Sequence, residues 1–175
     1  MRAFFLTFTL LAVFTLIPAS HAEDLPVPFQ EMKEKALAGD IKAQMQLGEA
    51  FVTGTGDLKE SVSEGIEWLE MAAKQGDANA QFTAGFLRML SSHELKTDAE
   101  KKEAAKIGYA WLFAASTQKH KPATKIVSQL QENMKNATEE DLKIMNPEEF
   151  TSLADEYIEL YVTPFQNNNK QESAE

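Results

Sequence analysis

The chain has no cysteine in its 175 residues. That excludes disulfides, a thiol nucleophile, thiolate metal sites and an acylated lipoprotein leader. A chain of this kind must be held by packing alone. Positive charge is also short: 17 Lys+Arg face 27 Asp+Glu, for a net charge of −10. Such a surface repels phosphate backbones, which argues against nucleic acid as a partner and weakly against anionic membranes. Histidine is scarce, with three residues in all. Beyond Ile17 no apolar run approaches the roughly 20 residues that a membrane-spanning helix needs. No stretch alternates as a strand would.

What is present begins with a leader pattern. Arg2 precedes a mostly apolar run from Ala3 to Ile17, and Pro18 breaks it before Ser20 and Ala22. These three parts are those of a secretory signal over residues 1–22, cleaved after Ala22. The expectation is an exported protein, periplasmic or secreted, in a Gram-negative bacterium, with no stable membrane insertion after cleavage. Residues 23–28 hold Pro26 and Pro28 and read as an extended lead-in.

Helical signals fill the rest. The spacing predicts helices over 29–38, 41–53, 78–91 and 98–118, with another opened by Ser61 and one carrying Pro122 in its first turn. Ser61 with Glu64 and Thr97 with Glu100 have capping-box spacing. A short helical turn is expected over 138–145. Asn146-Pro147-Glu148-Glu149 opens an amphipathic helix that Pro164 should end. Residues 166–175 are polar and are expected to be disordered.

The helices repeat. Ala36, Gly39, Asp40, Ala43, Gln44 and Gly48 recur 37 residues later as Ala73, Gly76, Asp77, Ala80, Gln81 and Gly85. Gly65, Trp68, Leu69 and Ala72 recur 43 residues later as Gly108, Trp111, Leu112 and Ala115. Each glycine inside a helix costs roughly 1 kcal/mol against alanine. Close approach of two helix backbones is the gain that offsets it. Two helices per period of about 40 residues is the mark of a stacked-hairpin architecture.

Ala43, Leu47, Gly48, Phe51, Gly54 and Gly56, followed by Gly65, Trp68, Ala72, Ala73, Gly76 and Ala80, closely resemble the Sel1-like repeat, a relative of the tetratricopeptide repeats. The resemblance is strong over 40–85 and partial over 109–123, where Lys119 stands in place of Gly76. Arg88 stands where the first unit has Phe51. The resemblance implies an all-α fold over 29–165: a right-handed superhelical solenoid of antiparallel helix pairs with a C-terminal capping helix. It also implies a protein or peptide partner, and bacterial members are often exported envelope adaptors. Some cysteine-rich members have been described as binding or hydrolysing β-lactams, but this chain has none of their cysteine pairs. A structural part of an envelope machine is a further alternative.

Catalytic chemistry is thin, and the expectation is no enzyme, no cofactor and no metal site. His93 and His120 each stand alone in a polar stretch and read as solvated loop residues, without His-x-x-x-His spacing. Ser116 and Lys119 have the Ser-x-x-Lys spacing of penicillin-binding enzymes without its companion motifs. The pairs Glu139-Glu140, Glu148-Glu149 and Asp155-Glu156 suit helix starts or exposed faces. Gly54-Thr55-Gly56 lacks the lysine of a phosphate loop and fits a turn.

Phe82, Phe86 and Met89 recur at i, i+4 and i+7, and their first-unit equivalents are Met45, Glu49 and Val52. In the architecture the chain resembles, such positions line the concave side. Met45, Glu49, Phe82, Phe86 and Met89 are therefore the candidate partner-binding residues, forming a shallow apolar groove. The simpler alternative is packing against neighbouring helices.

Overall fold

The computed structural model describes residues 27–55, 58–139 and 146–166. The leader 1–22, residues 23–26, Gly56 and the tail from residue 167 lie outside that range, as does nearly all of the turn expected over 138–145. Among the described residues the fold is all-helical. It comprises α1 (Val27–Leu37), α2 (Ile41–Thr53), α3 (Val62–Ala73), α4 (Ala78–Ser91), α5 (Asp98–Thr117), α6 (Lys121–Lys135) and α7 (Pro147–Tyr161). None of these helices is long and apolar enough to cross a membrane.

Local chemistry sets the boundaries. Asp40 and Asp77 cap α2 and α4 by accepting the backbone N–H of Ala43 (2.7 Å) and Ala80 (2.8 Å). Gly39, Gly54 and Gly76 supply the left-handed turns, with φ of 95°, 61° and 86°. Thr97 and Glu100 form the full reciprocal capping box of α5. At α3 only half of that pattern forms. Ser61 accepts from the Glu64 N–H, but its own N–H donates to Phe51 O at 2.8 Å. Three further boundaries depart from expectation. α1 starts at Val27, so Pro28 belongs to its first turn rather than to an extended lead-in. The stretch after α4 forms one 3-10 turn, Ser92–Glu94. Finally, α7 ends at Tyr161, and Pro164 falls inside a last helical turn at 163–166 instead of stopping the chain.

Each helix from α1 to α6 packs on the next, whereas α7 returns to lie chiefly along α5. The core falls into three clusters along this stack. The first joins α1 to Trp68 through Ala36, Leu47 and Phe51. In the second, Leu69, Ala72, Ala73, Ala80 and Ala84 surround Trp111, with Tyr157 and Tyr161 against it. The third holds Tyr109, Leu112, Val127, Phe150 and Ala154. The alanines matter because a larger side chain would push the helix axes beyond the usual 8–10 Å.

The glycines sit where helix backbones cross. A Cβ on Gly48 would stand 2.9 Å from Gly65 O, and one on Gly85 would stand 2.7 Å from Gly108 O. The two crossings use residues at equal register, α2 on α3 and α4 on α5.

Candidate interaction site

The five residues singled out from the sequence lie on α2 (Met45 and Glu49) and α4 (Phe82, Phe86 and Met89). Met45 packs against the cluster around Leu69 and Trp111, while Phe82 and Met89 pack against the one around Tyr109 and Leu112. Met45 thus lies against a different part of the core from Phe82 and Met89. Glu49 is exposed and Phe86 is 40% exposed. The Phe82 ring lies 6.0 Å from Phe86, nearly parallel to it, and 4.6 Å from the His120 imidazole. Leu90, one turn beyond Phe86, is 58% exposed. The outer edge of α4 thus presents a ladder of Phe82, Phe86 and Leu90, set on a packed base and open at its end.

His120 is not a solvated loop residue. Its Nδ1 accepts the Ala123 N–H at 3.3 Å and caps α6, the role of Asp40 and Asp77 at the equivalent corners. Lys119 holds φ 65° where those corners have glycine. Lys119 and His120 thus stand before α6 where Gly39-Asp40 and Gly76-Asp77 stand before α2 and α4. Ser116 donates its hydroxyl proton to Phe113 O at 2.7 Å. Among the described residues no group of three His, Cys, Asp or Glu side chains is placed to hold a metal ion.

Two polar arrangements went unassigned at the sequence level. The first centres on Glu70. Its Oε1 accepts from Arg88 Nε at 2.6 Å and from Trp111 Nε1 at 3.3 Å, with both charged side chains largely covered. The odd Arg88 in place of Phe51 was the visible signal, but nothing in the sequence pointed to Glu70 as its partner. Arg88 also lines a cleft of about 540 Å³ together with Ile66, Glu67 and Leu95.

The second arrangement is a pair of buried glutamines. Gln44 Nε2 donates to Ala36 O (2.9 Å), and Gln44 Oε1 accepts from Gln75 Nε2 (2.7 Å). Gln81 Nε2 donates to Ala73 O (3.2 Å), and Gln81 Oε1 accepts from Gln118 Nε2 (2.8 Å). Each glutamine ties the end of one helix to the next pair.

Tyr157 stands between these arrangements, with its ring 4.5 Å from Trp111. Burial pushes its phenol up to about 12, and the nearby Glu70 carboxylate adds to the shift. Tyr109 and Tyr161 are also raised, again first by burial. These are the only three tyrosines in the chain. A phenol raised in the folded state adds stability below its unfolded value of about 10, and that stability is lost as pH rises toward about 12. Tyrosinate absorbance should therefore develop at higher pH in the folded protein than in urea, and unfolding midpoints should fall above about pH 10. Superimposable titrations in the two states would contradict this.

No family model matches the chain. Human wolframin is 41% identical to it over 59 residues, which is 33% of this chain and 7% of wolframin. The likeness thus spans a small fraction of that protein's length.

Proposed function

We propose that this is an exported Sel1-like repeat protein, a right-handed superhelical solenoid of antiparallel helix pairs capped by α7. It works in the periplasm of a Gram-negative bacterium as an interaction or adaptor module for a protein or peptide partner, without catalysis. The repeat reading is supported by the matched glycine crossings and by the matched bonds of Gln44 and Gln81. The binding reading is carried by the ladder on α4. Phe86 and Leu90 hold large apolar surface in solvent on a rigid helix, next to a part-buried Phe82. Exposed aromatic side chains on a packed base are what partner surfaces are built from.

The test is Phe86→Asp in the full chain, with affinity recovery and crosslinking from cell envelopes. Phe86 is exposed enough that folding should lose about 1 kcal/mol or less. A partner recovered with the parent chain should be absent with the variant. If the folded variant keeps every crosslinked partner, the α4 ladder is not the binding face. If the variant fails to fold, Phe86 belongs to the core.

A further inference from the structure

The corner between α5 and α6 carries the opposite charge from the corners before α2 and α4. Asp40 and Asp77 cap those two helices with carboxylates, each after a glycine, whereas α6 is capped by the His120 imidazole after Lys119. Lys119 holds φ 65°, a conformation in which a side chain strains the backbone. The charge around it is segregated. Between Glu103 and Glu132 the chain has no Asp or Glu, although it holds 27 in all, and there it carries Lys106, Lys119, Lys121 and Lys125. Lys106 pairs with Glu103 at 2.7 Å. Lys119, Lys121 and Lys125 are exposed and have no carboxylate partner among the described residues, whereas Lys35, Lys101, Lys102 and Lys135 each have one.

These three lysines line a shallow cleft of about 550 Å³ with Ser116, Thr124 and Ser128. The hydroxyls are already donated, to Phe113 O, His120 O and Thr124 O, so the ammonium groups are the donors open to a ligand. Charge complementarity calls for an anionic occupant. That occupant is also short. The chain as a whole carries −10 and repels a polyanion or an anionic bilayer that runs on past the patch. His120, between Lys119 and Lys121 in the chain, has its ring 4.6 Å from Phe82, so the corner adjoins the apolar ladder of α4. We infer that the α5–α6 corner is a docking site for an acidic segment of a partner protein. Side-chain carboxylates of that segment pair with Lys119, Lys121 and Lys125. The inference rests on the interaction-module reading above and gives its partner a charge.

The experiment uses the isotope-labelled full chain and a short synthetic peptide of alternating Glu and Ser, with the same peptide carrying Gln for Glu as the control. Saturable amide shifts are expected over 116–128 with the first peptide and none with the second, and binding should weaken as salt rises. The combined variant Lys119→Gly, Lys121→Gln and Lys125→Gln should bind about tenfold more weakly, the sum of three exposed ion pairs. Its melting temperature should not fall, since all three side chains are exposed and glycine relieves the φ of 65°. The absence of saturable binding, or equal binding by the variant, overturns the inference. Shifts of the same amides by inorganic phosphate or by phosphatidylglycerol vesicles, at lower concentration than the peptide needs, also overturn it by making a phosphate the ligand. So does a change over 116–128 on deleting residues 167–175 or on Glu140→Gln with Asp141→Asn, which would make the chain's own acids the occupant. With a natural partner, loss through Phe86→Asp but not through the lysine variant removes this inference and leaves the α4 ladder. Loss through the lysine variant alone leaves the corner and removes the ladder.

Discussion

Gly85→Ala is expected to destabilise the protein by about 2–3 kcal/mol, even though alanine is the better helix former by about 1 kcal/mol. The new Cβ would meet Gly108 O at 2.7 Å, Leu112 N at 2.9 Å and the Trp111 Cβ at 2.9 Å. All three belong to the α5 backbone or sit directly on it, so no side chain can rotate away. α4 and α5 would have to separate, which unpacks Trp111 and Leu112 from the core. Gly48→Ala should cost less. It meets one backbone atom, Gly65 O at 2.9 Å, where Gly85 meets two and a Cβ, and its nearest neighbour is the Cγ of the buried Leu69 at 2.7 Å. Gly39→Ala meets nothing and carries only the strain of φ 95°, roughly 1 kcal/mol. Urea unfolding of the three variants gives the order directly. A Gly85→Ala protein as stable as its parent would mean that the helices cross with room to spare.

Gln81→Leu is expected to cost about 3 kcal/mol, and Gln44→Leu about 2 kcal/mol. Both side chains are buried, and the replacements are apolar and of similar size. The loss comes from partners left short of a bond. Gln81 serves Ala73 O, Tyr161 O and the Gln118 amide, whereas Gln44 serves Ala36 O and the Gln75 amide. A buried polar group that loses its partner costs more than the net worth of the bond. Gln81→Leu should also loosen the end of α7, seen as faster amide exchange around Tyr161 and Phe165. Equal losses for the two variants, with no change at α7, would show that the Tyr161 carbonyl bond contributes nothing.

The two sets of variants probe different contacts of the helix stack. The glycines decide how closely the helices of a pair approach. The glutamines decide how one pair is joined to the next. Arg88 belongs to the second kind, since it reaches back from α4 to Glu70 on α3 and so links successive pairs by charge.

The sequence alone determined what depends on neighbours a few residues away. Helix positions followed from apolar spacing, and the starts of α2, α4, α5 and α7 from Asp40, Asp77, Thr97 and Asn146, whose side chains bond within three residues of themselves. The glycine pairs were legible too, because a costly residue returning at fixed register needs a reason. Tertiary structure alone decided where α7 goes, what Arg88 binds and how the glutamines are satisfied. Those bonds join residues far apart in the chain, as Gln81 does with Tyr161 across 80 positions. A buried amide or guanidinium shows in sequence only as a polar letter at an apolar position. Its partner is chosen by which helices happen to meet, and that is a property of the packed whole. The same reason kept the candidate site half hidden. Phe82 and Met89 share one apolar stripe with Phe86, yet packing covers the first two and leaves the third in solvent.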